Sequence, residues 1–187
     1  MSGLPLLVIF NNKEKIVHLL QNGADVNEQN SNGETALLYA CLNNSTEITK
    51  ILLQNNKINV NLQNNNGDSP FYRACWNNRY ECALLMLQDA RVDVNLAENT
   101  YGISPLMIAC CYGYTKIVQL LLSFGRNIDI LKKSTKDIGD IKSDSTALEI
   151  AKQENETAVV QLLEQYQKNP KETQKTFRNE LNLQGKK

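Results

Sequence analysis

The side chains in this sequence that could carry reaction chemistry are five thiols and one imidazole. Cys41, Cys75, Cys82, Cys110 and Cys111 could supply a nucleophile, a metal site or disulfides, and His18 a base. A nucleophilic thiol needs a base within hydrogen-bond reach, and a zinc site needs four thiolate or imidazole ligands, commonly introduced by a C-x-x-C pair. The chain offers one histidine and no C-x-x-C pair, and five is an odd number for a disulfide framework. His18 lies between Val17 and Leu19 in a helical pattern, where a side chain at the edge of a packed interface accounts for it. No G-x-x-x-x-G-K-S/T or G-x-G-x-x-G segment offers a phosphate cradle. We therefore expect no catalytic residue, no metal, no cofactor and no enzymatic activity.

Charge removes further classes. Twenty basic and twenty acidic side chains cancel, so the chain lacks the field that draws proteins onto nucleic acid or anionic membranes. The longest apolar run near the start, Leu4 to Phe10, is too short to span a bilayer and has no basic region before it. No nucleic-acid partner, membrane segment or signal peptide is expected, and the reduced cytoplasm, or the nucleus, fits the thiols. Sequons at Asn43, Asn44 and Asn155 read as chance in so asparagine-rich a chain. At 187 residues the chain is long enough to bury one substantial core without a staple, and a monomer is expected.

Three of the thiols lead to the elements that hold them, because Cys41, Cys75 and Cys110 each follow an alanine inside a recurring hexapeptide. T-A-L-L-Y-A from Thr35, S-P-F-Y-R-A from Ser69, S-P-L-M-I-A from Ser104 and T-A-L-E-I-A from Thr146 place alanines at Ala40, Ala74, Ala109 and Ala151. Eight residues beyond each alanine an i, i+3, i+4 apolar stripe begins: Ile48, Ile51, Leu52; Cys82, Leu85, Met86; Ile117, Leu120, Leu121; Val159, Leu162, Leu163. A third marker, ending at Asn27, Asn61, Asn95 and Asp129, recurs every 34 residues. Asn32-Gly33, Asn66-Gly67 and Tyr101-Gly102 supply the glycine that a tight turn demands. The unit is turn, short helix, tight loop, longer helix and extended return. Equivalent cysteines in neighbouring units would stand about 10 Å apart, the helix-packing distance, too far for a disulfide. They read as small core residues, Cys82 likewise, and Cys111 falls in a more exposed slot.

On these residues the sequence resembles the ankyrin-repeat family, whose period is about 33 residues and whose signature is T-P-L-H-x-A. The resemblance covers residues 4–166. It implies an all-α solenoid of helix-turn-helix units joined by β-turn or hairpin fingers, with a C-terminal capping helix. The expected divisions are an N-terminal capping unit at 1–30, repeats at 31–64, 65–98 and 99–131, a polar insertion at 132–142, a last repeat at 143–166 and a helical tail at 167–187. Leu38, Tyr72, Met107 and Glu149 stand where the family has histidine, removing a turn hydrogen bond. The first helix, built from L-P-L-L-V-I-F, fits the frame poorly and is expected to be a degenerate cap. The insertion widens the alanine spacing to 42 residues and reads as a surface extension of a finger. In the tail, Asn169 and Pro170 sit at N-cap and first-turn spacing, and Phe177 with Leu181 forms an apolar edge. Its six basic residues against two acidic ones are weighed as a nucleic-acid or membrane contact and set aside as a solvated helix face.

Family partners dock on the concave side, made from turn tips and the exposed faces of the first helices. Carried onto this sequence, the partner-binding positions are Ser31, Asn32, Glu34, Leu42 and Asn43; then Asn65, Asn66, Asp68, Arg73, Trp76 and Asn77; then Thr100, Tyr101, Ile103, Cys111 and Tyr112. Trp76 stands two residues beyond Ala74 and is expected to be exposed, with Arg73, Tyr101 and Tyr112 near it in the stacking direction. Trp, Tyr and Arg are the residue types that dominate binding hot spots. The expected function is a non-catalytic protein-protein interaction module or scaffold whose partner is another protein. An inhibitory or regulatory subunit that occludes an enzyme, and a structural fragment of a larger ankyrin protein, are the alternatives.

Overall fold

A computed structural model describes residues 3–139 and 141–185. Asp140 of the expected insertion, Met1 and Ser2 of the expected cap, and Lys186 and Lys187 of the tail lie outside the described residues. The chain divides into two compact units, residues 1–93 and 94–187. Regular structure among the described residues is helical, with two isolated β-bridges, Gln29 to Thr35 and Ile138 to Ile141. The first unit holds three helix pairs: α1 (Leu4–Ile9) with α2 (Lys13–Gln21), α3 (Ala36–Leu42) with α4 (Thr46–Leu53), and α5 (Pro70–Trp76) with α6 (Tyr80–Gln88). The second unit holds α7 (Pro105–Cys111) with α8 (Thr115–Ser123), α9 (Ala147–Gln153) with α10 (Thr157–Lys168), and α11 (Pro170–Glu180).

The hexapeptide explains the short helices. Thr35, Ser69, Ser104 and Thr146 adopt extended backbone at the N-cap, and each side-chain oxygen accepts the N–H three residues on. Pro70 and Pro105 follow at a position whose N–H has no helical partner to lose. Each helix then stops at a residue with left-handed backbone: Asn44, Asn78, Gly113 and Asn155, with φ of 57°, 54°, 65° and 60°. The turn this makes returns an N–H to the repeat alanine: Ser45, Arg79, Tyr114 and Glu156 donate to the carbonyls of Ala40, Ala74, Ala109 and Ala151 at 2.8–2.9 Å. Those four alanines are fully buried, so the marker residue sits where helices approach most closely and where the next helix is aimed.

The first pair follows the same rule without the alanine. Asn12 donates to the Leu7 carbonyl at 3.0 Å, and Asn11 takes the left-handed position with φ of 51°. Leu7 thus stands in the alanine slot, 33 residues before Ala40, and α1 packs on α3. The expectation of a poorly framed first helix is corrected: the frame is kept and only the residue type differs.

In the first unit α3 packs on α5 and α4 on α6; in the second α7 packs on α9 and α8 on α10. The positions expected to hold histidine are filled by buried Leu38, Tyr72 and Met107, while exposed Glu149 closes a capping box on Thr146. Of the apolar stripes, the i and i+4 members are buried in all four helices, whereas Ile51, Leu85 and Leu162 are only half-buried. Leu120 differs from these because α11 lies against α8 as well as α10. Phe177 and Thr173 are the buried side chains of α11, and Arg178 reaches the Ser123 carbonyl and stands over the Phe124 ring. Two details of the tail differ from expectation. The Asn169 side chain makes no capping bond, since its backbone also ends α10, and the apolar edge is completed by buried Leu183 while Leu181 is half-buried.

The extended return segments are joined by an amide ladder. Asn27 donates through Nδ2 to the Lys57 carbonyl at 2.9 Å and accepts from the Asn59 N–H at 2.7 Å. Asn61 repeats this with the Arg91 carbonyl and Asp93 N–H at 2.9 and 2.8 Å. Asn95 repeats it with the Asn127 carbonyl and Asp129 N–H at 2.6 and 2.8 Å. The marker then changes to Asp129, a carboxylate with no N–H to give, which accepts from the Leu131 N–H in its own turn.

The finger tips close by a backbone bond from Asn30 to Glu34, Asn64 to Asp68, Glu98 to Ile103 and Ser134 to Ser145. The insertion therefore occupies the last tip, between Ser134 and Ser145. It is tied internally by the Ile138–Ile141 bridge and by Ser143 donating to Asp137 at 2.7 Å. Left-handed Asp144 (φ 65°) takes the tip place that Gly33, Gly67 and Gly102 hold.

Two substitutions separate ladder from core. Asn61→Ala strips two exposed bonds and is expected to cost about 1 kcal/mol with helicity kept. Ala74→Lys forces a long charge into a fully buried slot and is expected to exceed about 4 kcal/mol and abolish the melting transition. Urea unfolding followed by circular dichroism measures both. An unchanged midpoint for Ala74→Lys contradicts the repeat frame.

Candidate functional site

The first unit gathers most of the expected binding positions. Ser31, Asn32, Asn65 and Asn66 are exposed at the tips of two adjacent fingers. The fingers are fastened together: the Asn65 N–H donates to the Asn32 carbonyl at 2.9 Å and its side chain to the Ser31 carbonyl at 3.1 Å. Gly33 is required at this approach, since a Cβ there would lie 2.9 Å from the Asn65 backbone nitrogen, and its φ is 74°.

Behind the tips lies a line of fixed polar groups. Half-buried Glu34 accepts the Tyr39 hydroxyl at 2.6 Å and the Asn30 side chain at 3.0 Å. Burial pushes its carboxyl up, but hydrogen bonds from Tyr39, Asn30 and Asn32, with the charge of Arg73, outweigh burial and hold it below the ordinary range. The same contact, followed by burial, pushes the Tyr39 phenol up. Arg73 pairs with Asp68 at 2.7 Å, and its guanidinium stands 4.8 Å over the Trp76 ring. Tyr72 meets Trp76 edge-on at 5.7 Å. The Arg73 Nε is buried without an acceptor, a cost that the carboxylate pair and the ring contact offset. Asn77 is tied to the Arg73 carbonyl at 2.9 Å. Leu42 is half-buried and its carbonyl accepts Arg79 Nε at 2.8 Å, while Asn43 is exposed.

In the second unit the Glu98 carboxylate accepts the N–H groups of Thr100, Tyr101 and Ile103 at 2.7–3.0 Å, which shapes the tip. Thr100 is exposed, and the carbonyl of half-buried Tyr101 receives the Thr135 N–H. Tyr112 is 48% exposed and stacks on Tyr114 at 5.6 Å with the rings 17° apart. Half-buried Cys111 lies in the field of Glu154 and Glu156.

Residues 6–98 and 90–174 match the family model of ankyrin repeats in three copies. The chain belongs to the ankyrin-repeat family. Comparison with curated proteins gave no match. Ankyrin repeats are in general protein-protein interaction modules and typically non-catalytic. Among the described residues no cluster of histidine, cysteine or acidic side chains could hold a metal, and no helix is long and apolar enough to cross a membrane.

Three expectations about this ankyrin face are corrected. Asp68 and Ile103 are each 3% exposed, so neither side chain is offered to a partner. Asp68 is turned inward by Asn64 and Arg73, and Ile103 joins the core beside the α7 cap. Trp76 is half-buried, because the Tyr72 edge and the Arg73 guanidinium cover part of its ring. Trp76 and Arg73 belong to the first unit, Tyr101 and Tyr112 to the second.

Sequence reasoning also missed residues. Tyr39 stands 34 residues before Arg73 in the same slot, so the repeat frame carried the signal. The meeting of Cys41 with Cys82 had no such signal, since equal slots were compared and this contact joins unequal ones. Cys82 further touches the Thr49 hydroxyl at 3.4 Å. The hydrogen bond with Cys82 and then burial push the Cys41 thiol well up; burial does the same for Cys75 and Cys110. Burial, then Glu154 and Glu156, push Cys111 up to about 11.

Thiol labelling at pH 8 is accordingly expected to be slow everywhere, with Cys111 modified first and the other four protected until the fold opens. Mass spectrometry after brief exposure reads this, and early modification of Cys75 or Cys110 contradicts the burial. Tyr39→Phe should move the Glu34 titration upward in carboxyl NMR. The depressed carboxyl contributes stability above its ordinary range, and that contribution is lost as pH falls through the folded value. Tyr39→Phe should therefore flatten the loss of stability on acidification.

Proposed function

We propose that the chain is a non-catalytic binding module that takes another protein on the face built from its first helices and finger tips, the concave side in the family. The observation that carries this reading is the set Trp76, Arg73 and Asp68. A large ring with part of its face open is held in one place by a guanidinium that is itself fixed by a buried carboxylate. Tryptophan and arginine are the residues on which binding energy most often concentrates. A side chain already immobilised in the free protein loses little entropy on binding. The stripes of the second helices face inward instead and leave exposed charges such as Glu47 and Lys50 outside, paired with each other at 2.8 Å.

The test is capture of a partner followed by calorimetric titration against wild type, Trp76→Ala and Glu47→Ala, with circular dichroism confirming each fold. Trp76→Ala is expected to cost about 2 kcal/mol or more, and Glu47→Ala close to nothing. Should Glu47→Ala weaken binding more than Trp76→Ala, the outer face is the one used and this reading fails.

A further inference from the structure

At the N-terminal end of the first unit, a hollow of 530 Å³ opens between α1, the first finger and α3. This lies within the range of about 300–1,000 Å³ of small-ligand sites. One wall is apolar, made by Pro5, Leu6 and Ile9 of α1, and Tyr39 presents its ring opposite. The other wall is polar, made by Asn30, Ser31 and Asn32 with one acid, Glu28. Glu28 lines the hollow with a carboxylate that accepts the Leu4 N–H at 3.0 Å through one oxygen. Glu34 lies behind Tyr39, ionised at neutral pH and bonded to the Tyr39 hydroxyl. Among the described residues no lysine or arginine lines the hollow, and Arg73, the cation whose charge reaches Glu34, is engaged with Asp68. Ile9 is 45% exposed and the next residue, Phe10, 71%, two of the four large apolar side chains most open to water among the described residues.

We infer that this hollow takes an arginine or lysine side chain, carried beside an aliphatic residue on an extended segment of the partner protein. The inference rests on the binding-face reading and specifies its chemistry. A long basic side chain is itself apolar along its stem and charged at its head, which matches a wall of Leu6, Ile9 and Tyr39 facing the Glu28 carboxylate. A wholly aliphatic segment would cover Glu28 without giving it a partner, at the cost of stripping water from a charge. An acidic segment would meet the like charge of Glu28, with that of Glu34 behind Tyr39. Only the cationic one gains a charge-assisted hydrogen bond, and its aliphatic neighbour covers the exposed Ile9.

The probes are two fluorescein-labelled heptapeptides, one with arginine between two leucines and glycine-serine ends, the other with glutamate replacing the arginine. Fluorescence polarisation with the full chain is expected to show the arginine peptide binding at least tenfold tighter. Glu28→Gln keeps an acceptor for the Leu4 N–H and should weaken that binding by up to about fivefold, the worth of one exposed ion pair. Ile9→Ser, at an exposed position, should weaken it likewise, and Glu47→Gln, an acid on α4 away from the hollow, should not. Circular dichroism confirms that each variant is folded. Equal binding of both peptides, no binding of either at millimolar concentration, or indifference to Glu28→Gln and Ile9→Ser overturns the inference. If the captured partner still depends on Trp76 in that case, the binding-face reading stands and only the hollow's ligand is wrong.

Discussion

An asparagine side chain carries a donor and an acceptor at one end, and the register between fingers depends on that pairing. Asn27, Asn61 and Asn95 each give an N–H to a carbonyl in the following return segment and take an N–H from a residue two further on. Two bonds in opposite senses fix both distance and direction, so neighbouring fingers meet in one register. A helix pair of this size cannot bury its apolar face alone and gains its stability from the pair beside it. Packing of buried alanines and leucines supplies the energy; the amides supply the alignment that lets equal slots fall opposite equal slots. Aspartate at 129 ends the series, because a carboxylate accepts and does not give.

The repeats were legible because their markers do local mechanical work. Thr35, Ser69, Ser104 and Thr146 cap helices, and Ala40, Ala74, Ala109 and Ala151 both fill close contacts and receive the turn that starts the next helix. Any residue with those duties is constrained to few types. Leu7 shows the limit. At the edge of the first unit a larger side chain fits the slot, so the turn survives without the letter that advertises it. Leu183 replaced Leu181 in the terminal edge for a related reason: α11 ends at Glu180 with Leu181 as its C-cap, and the chain then turns back onto the fold instead of continuing the helical period.

The candidate face was legible by slot and less so by orientation. Positions 34, 68 and 103 precede equivalent caps, yet Glu34 is half-buried while Asp68 and Ile103 are buried, because what surrounds a slot differs between repeats. Arg73 turns toward Asp68 and covers the Trp76 ring; the tyrosine in the same slot, Tyr39, turns toward Glu34 instead. One frame thus produces a rigid aromatic-guanidinium platform in one repeat and a phenol-carboxylate contact in another. Helical spacing reports which side chains leave the core, and the charges nearby decide where they then point.

The closing bond from Ser134 to Ser145 has a further consequence for how such a chain can change over generations. The other tips close over four or five residues and this one over eleven, yet α9 begins with the same cap and the same alanine turn as its counterparts. Loop-closure entropy grows only with the logarithm of length, so widening the tip from four to eleven residues costs about 0.9 kcal/mol. The finger end is therefore a place where segments can be gained or lost cheaply, while the helices on either side keep their register. Diversity can accumulate at the tips without asking the core to be redesigned.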